Sequence, residues 1–203
     1  SPRTLNRLLQ AGIHVRQANQ EFTAKTANGE YKFSPGTVVV TRAYQDHDWA
    51  DVQAKLSEIA NVNQVDVHAI TSGLTPSGMD LGSRNLSPVE PVNVMMVVGT
   101  DANMYEAGEA WYYLDRHVGI PVSMVDTDRL NSADLSRYTH IIMIDGRYSK
   151  LNKHSAERLR NWVNQGGVII GQQGGSKWLS NNDILAAKFV EDETFREAFE
   201  KED

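Results

Sequence analysis

The most chemically suggestive stretch is Gly171-Gln172-Gln173-Gly174-Gly175-Ser176. A glycine-rich turn at a helix start can hold an anion on free backbone N–H groups. The dinucleotide fingerprint GxGxxG and the phosphate-loop pattern GxxxxGK[ST] are both absent. In several α/β hydrolytic folds a turn of this kind carries the nucleophile. Neither Gln172 nor Gln173 can serve as one. Ser176 would need a histidine base. No His follows it, His154 is the nearest before it, and GxSxG is absent. A tight strand-to-helix turn is the favoured reading of these glycines.

Other constellations are weaker. His154-Ser155-Ala156-Glu157 spells HxxE, two zinc-type ligands one helical turn apart. A third ligand is required, and no later His supplies it. With Arg158 and Arg160 close by, the pair reads as a solvated helix face. Asp46-His47-Asp48 offers three ligand types, but neighbours in sequence seldom converge on one metal. Asp48 fits better as a helix cap. Asp101, Asp126 and Asp128 fall at strand ends, where Asp is also a preferred turn residue. Trp111-Tyr112-Tyr113 cannot all face one core, so at least one is expected to be exposed. Trp178 would cover a crevice or anchor the last helix.

These residues need elements to position them. Leu5, Leu8 and Leu9 mark a short helix face. Alternating segments follow at Ile13-His14-Val15, Glu21-Phe22-Thr23 and Tyr31-Lys32-Phe33, with Asn28-Gly29 as a hairpin turn. A Pro35-Gly36 turn leads to a strand over Thr37–Thr41. Trp49, Val52, Leu56, Ile59 and Ala60 have helical spacing behind Asp48. Val65–Thr71 is a further candidate strand, and 72–91 reads as a long Gly, Ser, Pro and Asn connection.

From residue 92 the pattern is α/β. Val92–Val98 suits a strand buried on both faces. Ala107, Ala110, Trp111, Leu114 and Val118 trace a helix. Val122–Val125 and His140–Ile144 are strands. Ala156, Leu159 and Val163 mark a helix stopped by Gly166-Gly167, and Val168–Gly171 is a fourth strand. A last helix is expected to hold Ile184, Leu185 and Phe189, then Phe195 and Phe199. This order predicts a doubly wound, mainly parallel sheet whose ligand crevice lies at the C-terminal strand ends. The candidate crevice residues are Gly99, Asp101, Asp145, Gln172, Gln173 and Ser176.

The chain has 203 residues, 40% hydrophobic and 23% charged, with no Cys. That excludes a collagen repeat, a disulfide scaffold and any thiolate site. The net charge is -6, of which residues 191–203 carry -5. With no basic stripe, nucleic-acid binding is not expected. The apolar runs are about half a membrane span, so no membrane-spanning helix is expected. Ser1-Pro2-Arg3 runs straight into Thr4–Leu9 without an initiator Met or signal peptide. A piece of a longer protein is the expectation.

Four stretches carry a family resemblance. They are Leu8-Leu9-Gln10-Ala11-Gly12-Ile13, Phe33-Ser34-Pro35-Gly36-Thr37-Val38-Val39-Val40, Ser72-Gly73-Leu74-Thr75-Pro76-Ser77-Gly78-Met79-Asp80-Leu81-Gly82-Ser83 and Trp162-Val163-Asn164-Gln165-Gly166-Gly167-Val168-Ile169-Ile170. Residues 92–189 resemble the class I glutamine amidotransferase-like fold, a flavodoxin-like three-layer α/β sandwich. The whole chain resembles the non-catalytic C-terminal region of bacterial zinc carboxypeptidase-like proteins, whose peptidase domain is related to carboxypeptidase A. The resemblance implies a small N-terminal α+β segment with linker over 1–90 and the amidotransferase-like domain over 91–203. It also implies an upstream peptidase domain in the same chain, carrying the zinc, and a periplasmic or secreted location.

Two departures limit the transfer. The amidotransferase Cys nucleophile is missing, so that activity is not implied. The HxxE zinc pattern lacks its downstream His, so no metal site is carried over. The expectation is a non-catalytic accessory domain, with no catalytic or metal residues assigned in this chain. Its crevice would take a peptide or small polar ligand. The alternatives are a stand-alone small-ligand module and a serine or zinc hydrolase.

Overall fold

The computed structural model describes residues 1–190. The chain divides into two compact units. One comprises Ser1–Pro91 with His117–Gly119, and the other Val92–Arg116 with the chain from Ile120 onward.

The first unit holds helices α1 (Pro2–Gln10) and α2 (Trp49–Asn63) and six short strands. Strands β1 (Val15–Ala18), β4 (Val38–Val39) and β6 (Leu86–Val89) form one antiparallel sheet in the order β4-β1-β6. Strands β2 (Phe22–Thr26), β3 (Gly29–Phe33) and β5 (Ser77–Gly78) form another, ordered β3-β2-β5. Pro2 lies in the first turn of α1, where its missing N–H costs nothing. Leu8, Ile13, Val15, Val52 and Ile59 pack into one buried cluster. Phe22, Phe33, Met79 and Leu86 belong to a second, with the two Phe rings stacked at 4.9 Å.

Several local expectations change here. The hairpin turns on Ala27 and Asn28, one residue earlier than expected, because Gly29 takes the positive φ of 103°. The strand expected over Thr37–Thr41 shrinks to Val38–Val39. Val65–Thr71 forms no strand, only an isolated bridge from Ile70 to Thr26. The connection over 72–91 contains β5 and β6. Pro88 sits inside β6, which an edge strand tolerates because one side of its backbone needs no donor. Asp48 does precede α2, but its side chain makes no capping hydrogen bond.

The second unit is mixed α/β around a four-stranded parallel sheet. Its strands are β7 (Val94–Val98), β8 (Val122–Asp126), β9 (His140–Met143) and β10 (Val168–Gly171), in spatial order β10-β9-β7-β8. All five residues of β7 are buried, so both faces of the sheet are covered at its centre. Ala107, Leu130, Leu135, Leu159, Trp162 and Leu179 from the connecting segments complete that core. This architecture is compatible with three α/β layers.

Helix α3 (Met104–Trp111) is capped by Asn103, whose side chain accepts from the N–H groups of Tyr105 and Glu106. The expected single helix reaching Val118 instead widens to a π-helical run over Tyr112–Val118. Tyr112 and Tyr113 are both more than half exposed, which meets the expectation that at least one of the three consecutive aromatics lies outside the core. Two 3-10 turns, Thr127–Ser132 and Leu135–Arg137, join β8 to β9. Arg158 holds this segment, donating to Leu130 O and Ala133 O at 2.7 Å each.

Helix α4 (Lys153–Asn164) opens with a reciprocal box between Asn152 and Ser155. Past its end, Gly167 lies against Trp162: a Cβ there would sit 2.5 Å from the indole. Gly167→Ala is therefore expected to cost about 2 kcal/mol, within the range for overpacking a filled core. Urea unfolding checks it, with an unchanged midpoint as the contrary result.

The last helix is the largest correction. Helix α5 runs over Gly174–Asn181 and starts directly on the glycines expected to form only a turn. Ile184, Leu185 and Phe189 lie beyond it in non-helical chain. Phe195 and Phe199 lie outside the described residues. Among the described residues no helix is long and apolar enough to cross a membrane.

Candidate functional site

The strand order reverses at β7. From it the chain first adds β8 on one side, then crosses back to place β9 on the other. Loops leaving neighbouring strands at such a reversal run apart and open a crevice beyond the strand ends. Here those loops are Gly99–Asn103 after β7 and Ile144–Asn152 after β9.

Backbone contacts form the floor. Ala102 and Gly146 pair as an isolated antiparallel bridge. Arg147 N–H donates to Asp101 O at 2.9 Å, and Asn103 N–H to Asp145 O at 2.8 Å. The start of α5 presses on the same floor. A Cβ at Gly174 would lie 2.3 Å from Gly146 O, and one at Gly175 2.3 Å from Met143 O. Glycines stand at these positions because three backbone segments meet there without room for a side chain.

Above the floor is a cavity of about 670 Å³. Thr100, Asp101, Ala102 and Asn103 line it from the β7 loop, and Asp145, Gly146 and Arg147 from the β9 loop. Gly174, Lys177, Trp178 and Asn181 of α5 close the third side. Trp178 serves both expected roles, facing the cavity while packing on the core. Its ring centroid is 6.4 Å from that of Tyr148, which is fully buried at a φ of 53°. Tyr148 donates its hydroxyl to Ile144 O at 2.9 Å. Burial, with Asp145 and Glu106 adding to it, pushes its phenol well above the usual range.

The carboxylates around the cavity each accept hydrogen bonds from the protein. Asp145 Oδ1 accepts from Gly174 N–H at 3.0 Å. Asp101 Oδ2 accepts from Ser149 Oγ at 2.6 Å and from Lys150 N–H at 3.3 Å. Those bonds, the Ser149 one foremost, hold its carboxyl below the ordinary Asp range. Glu106 of α3 accepts from Asp145 N–H, Asn103 Nδ2 and Gln173 Nε2 at 3.3, 3.3 and 3.4 Å. Lys150 Nζ turns away to Asp128, 2.9 Å distant.

The structure thus gathers only part of the expected crevice set. Asp101 and Asp145 line the cavity. Gln173 joins it at second hand, through Glu106. Gly99 faces the end of β8 instead: a Cβ there would meet Thr127 Oγ1 at 2.9 Å. Gln172 is exposed, its N–H bonded to Met143 O. Ser176 is half-buried, its Cα against Gly171, and does not line the cavity. Arg147, Lys177 and Asn181 were not among the expected site residues. The last two follow from the earlier start of α5.

Gln173 has φ 44° and ψ -115° at a sharp strand-to-helix turn, with Gly171 and Gly175 two residues to either side. A Cβ on either glycine would meet main-chain atoms within 2.8 Å. Strained turns of this shape raise one side chain above the sheet. Here that side chain is an amide.

The remaining motifs resolve simply. His154 and Glu157 are exposed on α4. Ser176 makes no hydrogen bond to a histidine among the described residues. Asp126 caps the first 3-10 turn, its Oδ1 accepting from Asp128 N–H at 2.9 Å. In the first unit, Asp46 pairs with His14 at 2.8 Å, and that bond lowers its carboxyl pKa.

Comparison of the chain with protein-family models, curated proteins and solved structures finds no match.

Proposed function

We propose that the chain is a non-catalytic accessory domain whose strand-end crevice binds a small polar ligand. The fuller reading places it beside a zinc carboxypeptidase-like domain of the same bacterial protein, periplasmic or secreted. The second unit is read as a flavodoxin-like, amidotransferase-like sandwich. Its strand order, counted along the chain, is 2-1-3-4, the order in which that doubly wound class begins.

The turn at Gln173 carries this proposal. It has the backbone of an elbow that presents a nucleophile, with an amide where the nucleophile would stand. The next N–H, which in such elbows steadies an oxyanion, is already bound by Asp145. Both parts of an acyl-transfer site are thus engaged elsewhere, while the crevice beside them keeps its volume and polar walls. These two features support recognition without bond cleavage as the reading of the crevice.

The test pairs zinc analysis with a C-terminal peptide hydrolysis assay, then a thermal-shift screen of sugars, nucleosides, amino acids and peptides. The expected result is no turnover and at least one stabilising ligand. A ligand at a hundredfold excess over its Kd should add about 2.7 kcal/mol of stability. Stoichiometric zinc with turnover lost in His154→Ala, or turnover lost in Ser176→Ala, overturns the proposal.

A further inference from the structure

The charges around the crevice are unevenly committed. Asp101, Asp145 and Glu106 all accept hydrogen bonds from the protein itself. Arg147 and Lys177 line the same cavity, yet neither side chain has a hydrogen bond or ion pair among the described residues. Of the charged side chains that line the cavity, Arg147 and Lys177 are thus the two without a protein partner among the described residues, although three carboxylates stand nearby. Trp178 supplies an apolar part of the same cavity's wall.

We propose that the crevice takes a small organic carboxylate, its anionic head held by Arg147 and Lys177 and its carbon part laid against Trp178. This rests on the ligand-binding reading above and narrows it. A guanidinium fork matches the two oxygens of a carboxylate. Phosphate is less well served. Its usual seat, the N–H groups opening a helix, is partly taken at α5, where Gly174 N–H is bound by Asp145 and Gly175 N–H by Gln172 O. A cavity of about 670 Å³ suits a ligand of small-molecule size. The free acid could be a lone metabolite or the end of a short peptide, since the recognised chemistry is the same.

The test uses the full chain and isothermal titration with four probes: N-acetylphenylalanine, its amide, phenyl phosphate, and a tripeptide ending in phenylalanine with a free carboxyl. The free acid is expected to bind at least about tenfold tighter than the amide, the scale of losing a charge-assisted pair. Arg147→Gln and Lys177→Gln should each weaken the acid about tenfold. Both residues are exposed, so neither change should move the unfolding midpoint of the free protein. A tighter tripeptide identifies a peptide end as the source, and a weaker one a free acid; either supports the proposal. Equal binding of acid and amide, tighter binding of phenyl phosphate, or no binding of any probe overturns it. In those cases a neutral compound that stabilises the protein would leave the broader ligand-binding reading intact.

Discussion

Gly175→Ala is expected to lower the stability of the second unit by about 3 kcal/mol or more, the upper part of the range for overpacking. The added Cβ would lie 2.3 Å from Met143 O and 2.6 Å from Ile144 O. Both are main-chain atoms at the end of a central strand, so no rotamer change relieves the contact. The helix and β9 must part, and Gly174 would be drawn off Asp145. If the whole chain melts as one transition, a loss of this size should lower the midpoint by roughly 6–12 °C. Gly108→Ala is the matched control. Gly108 lies inside α3 with nothing within 4 Å of its would-be Cβ. Alanine there should stabilise by about 0.5–1 kcal/mol. Calorimetry on the two variants should move in opposite directions, and equal shifts would refute the account of the crevice floor.

The second large effect concerns pH. Tyr148 has a folded-state pKa raised above the ordinary 10.0 by burial, then by Asp145 and Glu106. Its neutral form is the one the fold accepts. Below pH 10 the phenol is protonated in both states and contributes no slope. Above pH 10 the unfolded chain releases the proton and the folded one retains it. Stability then falls with rising pH, at most about 1.4 kcal/mol per pH unit from this group. Tyr148→Phe removes the titration. Denaturant unfolding at pH 8 should show a loss of about 1 kcal/mol in that variant, from the missing bond to Ile144 O. Between pH 10 and 11 its slope should be the shallower of the two. Parallel slopes would mean that Tyr148 ionises as freely folded as unfolded.

The parallel sheet was legible because its strands are short apolar runs ended by glycine or aspartate. Met95-Met96-Val97 and Ile141-Ile142-Met143 have few other ways to be buried. The edge strand β6 was not legible. Ser87 and Pro88 read as loop, and only pairing to β1 makes them a strand. The start of α5 was hidden for a related reason. Gly174-Gly175-Ser176 has poor helix propensity, but the close approach of Met143 and Gly146 demands glycine at the helix's first positions. Misplacing that helix removed Lys177 and Asn181 from the expected site. Glu106 was invisible on other grounds. It joins residues 39 and 67 positions away in sequence, and no local pattern announces such a meeting.

The crevice floor has a consequence for how this site can change. It is built of main chain against main chain, at Ala102 with Gly146 and at Gly174 and Gly175 with the end of β9. Arg147, Lys177 and Asn181 rise from it as exposed side chains. On the ligand-binding reading proposed above, scaffold and specificity are written in different residues. The glycines hold the shape, and the side chains above them can be exchanged at small energetic cost. Divergence, or deliberate redesign, can therefore retune what the crevice accepts while leaving the sheet beneath it undisturbed.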